Sequence, residues 1–203
     1  MGVDRSRGAE GMIEEVTATR DADGLREEVD RLQAEVAELR LRVSQLDSLA
    51  HLDSLSGLPN RRGFTRVLER LIDRVRRYDE QAAVLFVDLD GLKMINDTFG
   101  HRAGDEALVQ VSRMLTEGLR KSDLVARIGG DEFGIVLGHA DELNANETAA
   151  RLVDLIAGCD FRHDGAVLPL SVTIGVGMID GEDTPEQALD RADAEMYRHK
   201  AAA

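Results

Sequence analysis

The chain has 203 residues, of which 43% are apolar, and a formal charge of -14; it has room for one cored domain and an accessory segment, which excludes wholesale disorder. The acidic balance argues against a nucleic-acid or anionic-membrane partner, because phosphate surfaces reward clustered Lys and Arg, whereas metal-bound nucleotides are compatible with it. A single cysteine, Cys159, excludes an intrachain disulfide; with no apolar run near the roughly 20 residues of a membrane span and no signal-like start, a cytoplasmic location is expected.

Residues 1 to 23 mix Gly, Asp, Arg and Glu with scattered apolar positions and read as a flexible leader. From residue 24 to 50 the pattern changes. Leu25, Val29, Leu32, Val36, Leu39, Val43 and Leu46 are spaced alternately four and three apart, a heptad repeat with valine at a and leucine at d. That combination favours a parallel two-stranded coiled coil and hence a homodimer. The g-to-e′ pairs agree in charge, with Glu35 facing Arg40 and Arg42 facing Asp47 of a second copy.

Ser, Gly and Pro end the heptads in "HLDSLSGLPNRRGF", and residues 51 to 203 read as an α+β domain. Helices are predicted over 61–77, 104–119, 146–157 and 184–200. The last is introduced by Thr184, Pro185 and Gln187 as a capping box. "AAVLFVDLD" (82–90) is a continuous apolar run ending in acids, as a buried central strand would be. "DLVARI" and "FGIVL" form a hairpin, and "LPLSVTIGVGMI" another strand.

Two acidic clusters stand at strand ends. Asp88 and Asp90 follow the apolar run and precede Gly91; Asp131 and Glu132 follow the paired Gly129 and Gly130 in the hairpin. Alone, two glycines and two acids are ordinary for a tight turn, the glycines accepting positive φ and the acids solvated. If the two strands are neighbours, the carboxylates instead form a site for a hard cation such as Mg²⁺, which takes one or two carboxylates and leaves its other positions to water and phosphate. The five histidines lack metal-ligand spacing.

"GGDEF" (129–133), with "DSLSGLPNRR", "VDLDGLKMIND", "FGHRAGDEAL" and "RADAEMYRHK" in order, resembles the GGDEF diguanylate cyclase family over residues 53 to 200. The resemblance implies a five-stranded central sheet flanked by helices, related to nucleotide cyclases and polymerase palms. It also implies the condensation of two GTP into cyclic di-GMP with release of two pyrophosphates, in a homodimer. By the same resemblance Asp88, the Leu89 carbonyl and Asp131 hold Mg²⁺, with Mn²⁺ as an alternative. Glu132 acts as base or through a second metal. Gly91, Leu92, Lys93, Gly129, Gly130 and Lys200 serve the phosphates, with Lys93 also counted among the catalytic groups. Asn96 and Asp105 read the guanine edge, and the Asp105 carboxylate favours GTP because adenine lacks the N1-H and 2-amino donor pair. Where the family usually continues after Lys200 with "GRN", this sequence has "AAA", which removes an Arg that commonly supports the phosphates.

"RKSD" ends five residues before Gly129, the offset at which the family carries its product-inhibition motif. The resemblance therefore implies a cyclic di-GMP site at Arg120 and Asp123, with Arg151 as a further phosphate contact. Two rival expectations are a catalytically dead cyclic di-GMP receptor and a structural dimerisation protein; intact Asp88, Asp131, Glu132, Asn96 and Asp105 speak against the first.

Overall fold

The computed structural model describes residues 51–202 and, before them, residues 28, 31–36, 38, 39 and 42. The leader and most of the heptad segment lie outside the described residues. The chain divides into two compact units, Met1–Leu49 and Ala50–Ala203. In the first, the described residues are helical, with Leu32, Val36 and Leu39 about half exposed. Arg42, expected to face a second chain, pairs with Glu38 one turn back at 2.6 Å.

In the second unit the elements run α1 (Arg61–Tyr78), β1 (Ala82–Leu89), α2 (Leu92–Phe99), α3 (His101–Glu117), β2 (Leu124–Arg127), β3 (Glu132–Gly138), α4 (Glu142–Ala157), β4 (Arg162–His163), β5 (Ala166–Val167), β6 (Val172–Met178) and α5 (Pro185–Ala202). The main sheet has order β2-β3-β1-β6, and every neighbouring pair is antiparallel. The apolar run of β1 lies at its centre because it is buried on both faces. Ala83, Leu85, Val87 and Leu89 point into the core under α3 and α4, whereas Ala82, Val84 and Phe86 point into the core under α1 and α5.

The sheet has four strands, not the expected five. Residues 162–167 form only a two-stranded ribbon, β4 with β5, because Asp164 and Gly165 turn the chain at φ 47° and 83° after two residues of pairing. The 168–179 strand begins only at Val172; Pro169, which lacks an N–H to donate, lies in the part that does not pair. The outer edge of β2 is covered locally by the chain before α1, where the Arg127 N–H donates to the Pro59 carbonyl at 2.9 Å.

Three helices differ from expectation, α3 by running from His101 to Glu117 rather than over 104–119. α2 was absent from the predicted elements: it has eight residues, buries only Leu92 and Ile95, and is bounded by Gly91 and Gly100, both at positive φ, so it offers barely one apolar repeat. α4 starts four residues earlier than predicted, where the Asp141 carboxylate accepts the Asn144 N–H at 2.8 Å. The capping box of α5 forms in both directions: the Thr184 N–H donates to Gln187 Oε1 at 2.8 Å and the Gln187 N–H to Thr184 Oγ1 at 3.3 Å.

Candidate active site at the acidic end of the sheet

Register brings the two acidic clusters together. Asp88 at the end of β1 is paired with Glu132 at the start of β3 on one side and with Thr173 of β6 on the other. The Leu89 N–H donates to the Asp131 carbonyl at 2.9 Å, which fastens the β2–β3 loop to the end of β1. Three aspartates and a glutamate thus share one end of the sheet. Burial pushes the Asp88 carboxyl up, and although Lys200 opposes this, repulsion from Asp131 and Asp90 adds to it. Glu132 is also raised, by burial first and then by Asp131 and Asp88. Both shifts come first from burial, with the crowding of like charge adding to it.

The cation that answers part of that charge comes from α5. Lys200 Nζ lies 2.6 Å from Asp88 Oδ1 and 3.8 Å from Asp90 Oδ1, so it sits among the carboxylates. Its delivery depends on close helix-sheet packing: a Cβ at Gly175 would lie 2.1 Å from the Ala192 carbonyl and 2.2 Å from the Met196 nitrogen, backbone atoms that cannot swing aside. The Thr173 hydroxyl donates to Asp90 Oδ1 at 2.9 Å and holds the fourth carboxylate.

The paired glycines serve a different purpose from the one expected of a tight hairpin. Neither Gly129 nor Gly130 has positive φ. Gly129 is needed for space, since a Cβ there would meet Glu132 Oε2 at 2.1 Å; the carboxylate folds back across the turn. Gly130 presents its carbonyl to Arg127, which donates to it from Nε at 3.2 Å and from Nη2 at 2.7 Å. The same guanidinium reaches Asp53 Oδ1 at 3.1 Å and Oδ2 at 3.3 Å. Sequence reasoning missed this Arg127–Asp53 clasp; both residues stand inside quoted motifs, but a pairing across 74 positions has no local signal.

Beside the carboxylates, Gly91 caps α2 at φ 70°, with Leu92 buried and Lys93 exposed behind it. Asn96 lies on α2 and Asp105 on the next helix, α3, which packs against it, and the side chains of neither make a hydrogen bond or ion pair to another described residue. Both keep their full hydrogen-bonding capacity for a ligand.

At the other end of β3, roughly 20 Å away by the length of a seven-residue strand, a cavity of about 250 Å³ is lined by Arg120, Asp123, His139, Asn144, Glu147 and Arg151 among others. Arg120 and Asp123 are tied by the Arg120 N–H to Asp123 Oδ2 at 3.0 Å, and Arg151 Nη1 donates to the Gly118 carbonyl at 2.7 Å. The three residues expected to act together do share one pocket.

The family model "Diguanylate cyclase, GGDEF domain" matches residues 50–203. The chain is 40% identical over 174 residues to diguanylate cyclase TpbB of Pseudomonas aeruginosa, covering 83% of this chain and 39% of that protein. It is 38% identical over 156 residues to the response regulator PleD of Caulobacter vibrioides, covering 75% of this chain and 34% of that one. Among solved structures, a microbial GGDEF domain studied with bis-(3′,5′)-cyclic di-GMP is 31% identical with TM-score 0.67, over 78% of this chain and 95% of that one. The chain belongs to the GGDEF-domain diguanylate cyclase family. It spans well under half the length of the two curated relatives.

Proposed function

We propose that the chain condenses two GTP molecules into cyclic di-GMP and two pyrophosphates, each domain of a homodimer contributing half of the active site. The observation that carries this is the convergence of Asp88, Asp131 and Glu132 at one sheet end, with two of the three held above the ordinary carboxylate range. Among the described residues no three acidic, His or Cys side chains are grouped closely enough to hold a metal ion by themselves; Asp88, Asp131 and the Leu89 carbonyl are oxygen donors of the kind a hard cation takes, with its other positions left to water and phosphate oxygens. Bound there, Mg²⁺, or Mn²⁺ in its place, supplies neutralisation of the triphosphate and acidifies the attacking hydroxyl.

In the reaction the 3′-hydroxyl of one GTP forms a bond to the α-phosphorus of the other, and the bond from that phosphorus to the bridging oxygen of pyrophosphate breaks. Glu132, its proton affinity raised by its neighbours, takes the hydroxyl proton directly or through water. Lys93 and Lys200 hold the departing phosphates, with the backbone of Gly91, Leu92, Gly129 and Gly130 close beside them. Asn96 and Asp105 select guanine, since a carboxylate accepts from both N1-H and the 2-amino group. The chemistry repeats across the dimer's two-fold axis to close the ring, which is why a heptad seam upstream matters. GTP supply places the domain in the cytoplasm.

Incubation of the protein with GTP and Mg²⁺ should yield cyclic di-GMP by chromatography. Asp131→Asn should lower turnover by at least about 10³-fold, the scale of losing a charge that acts in the transition state, while leaving a folded protein. Wild-type turnover in that variant would remove the metal assignment. The Arg120, Asp123 and Arg151 pocket is the product's inhibitory site, its guanidinium groups matching phosphate and guanine acceptors. Arg120→Ala should therefore keep the initial rate and lose inhibition by added cyclic di-GMP; an unchanged inhibition curve would reduce that pocket to a surface feature.

A further inference from the structure

Gly104 lies inside α3 and is buried, one residue before Asp105. Glycine is a poorer helix former than alanine at an interior position, so its presence there calls for a cause. The φ of Gly104 is not in the left-handed region, which excludes a backbone requirement. Space is the cause. A Cβ on Gly104 would lie 2.0 Å from Asn96 Oδ1 and 2.9 Å from Asn96 Cγ, with Leu92 Cδ1 next at 3.2 Å.

We propose that Gly104 is a positioning residue for base recognition: the missing side chain makes a notch in α3 into which the Asn96 amide fits, so that it is held beside the Asp105 carboxylate and both address one purine edge. This rests on the assignment of Asn96 and Asp105 to guanine. The Asn96 side chain makes no hydrogen bond to another described residue that could fix its rotamer, so packing against Gly104 is what limits its swing. The α2–α3 corner supports the same arrangement, because the two helices are joined by Gly100 alone, at φ 86°, with its N–H on the Asn96 carbonyl at 2.9 Å. An asparagine placed in advance binds a base without first being ordered.

The test is Gly104→Ala in the full chain, with affinity measured for guanosine and adenosine 5′-(α,β-methylene)triphosphates, which cannot react. The atom displaced is the end of a short side chain, so the variant should fold with a melting temperature at or above wild type. Its affinity for the guanosine analogue should fall about tenfold, the adenosine analogue's should stay put, and KM for GTP should rise with kcat within about twofold. The Asn96 side-chain amide signals in a ¹H–¹⁵N spectrum should shift, and in an Asn96→Ala background the same glycine change should cost nothing further. Should the single variant not fold, Gly104→Ala with Leu92→Val removes the second contact and carries the same comparison. Unchanged affinity in Gly104→Ala, or an equal loss with and without Asn96, overturns the inference. If Asn96→Ala itself binds the guanosine analogue like wild type, the base-reading assignment has failed; if it binds weakly while Gly104→Ala does not, the notch alone is wrong.

Discussion

Glu132 shows how function and stability oppose each other at a single residue. No described residue donates a hydrogen bond to its carboxylate, and burial, Asp131 and Asp88 all raise its pKa above the ordinary 4.5. The folded protein therefore binds this proton more tightly than the unfolded chain. The associated stability is present at pH below about 4.5 and is lost as pH rises through the raised folded value. In metal-free protein at pH 7.5, Glu132→Gln should raise the melting temperature by about 2 °C, a modest charge effect for a chain of this size. The gain should vanish in melts run below pH 4.5. A variant less stable than wild type at neutral pH would mean that Glu132 has a stabilising partner in solution.

At the scale of elements, the decisive contact is the one by which Arg127, at the end of β2, ties the entry segment of the domain to the β2–β3 loop. Burial tends to raise the Asp53 pKa, but hydrogen bonds from the Ser56 side chain and backbone, and from Arg127, outweigh it and hold the carboxyl below its usual range. Both partners are largely buried, with 14% and 22% of their side-chain surfaces exposed, so removing one leaves the other with an uncompensated charge. Arg127→Ala should cost about 2 kcal/mol in urea denaturation, and should also cut turnover because the Gly130 carbonyl loses both donors. Wild-type stability would show that the clasp is open in solution. The same scale explains why α2 escapes sequence reasoning: its short apolar stripe is read by the α3 helix beside it, not by periodicity.

For the whole molecule, the proposed chemistry calls for a particular assembly. On the proposed reaction one domain would bind one GTP, and a product with two identical halves would need two domains facing each other. The 25–46 heptads would hold two copies at an effective concentration on the order of millimolar. Deleting residues 1–48 should leave a folded, GTP-binding protein whose specific activity falls steeply on dilution. Inserting one residue before Asp53 should impair activity more than inserting seven, because one residue rotates the seam by about 100° and seven nearly restore it. If the truncated protein keeps full specific activity when dilute, the heptads have some purpose other than apposing two domains.

What the linear chain determined was local and periodic. The apolar run of β1 announced a strand buried on both faces, the Thr184–Gln187 pair announced the start of α5, and the ordered blocks around "GGDEF" announced the family, because burial, capping and backbone approach to a nucleotide each demand particular residues at short spacing. Tertiary structure decided what long separation hides. Register set Asp88 against Glu132, glycines at 175 and 177 let α5 settle on β6 and carry Lys200 to the carboxylates, and Arg127 found Asp53 across the chain. The fifth strand, which only the family resemblance implied, is not in the sheet: whether a segment joins a sheet depends on a neighbour's free edge, which no run of residues states by itself.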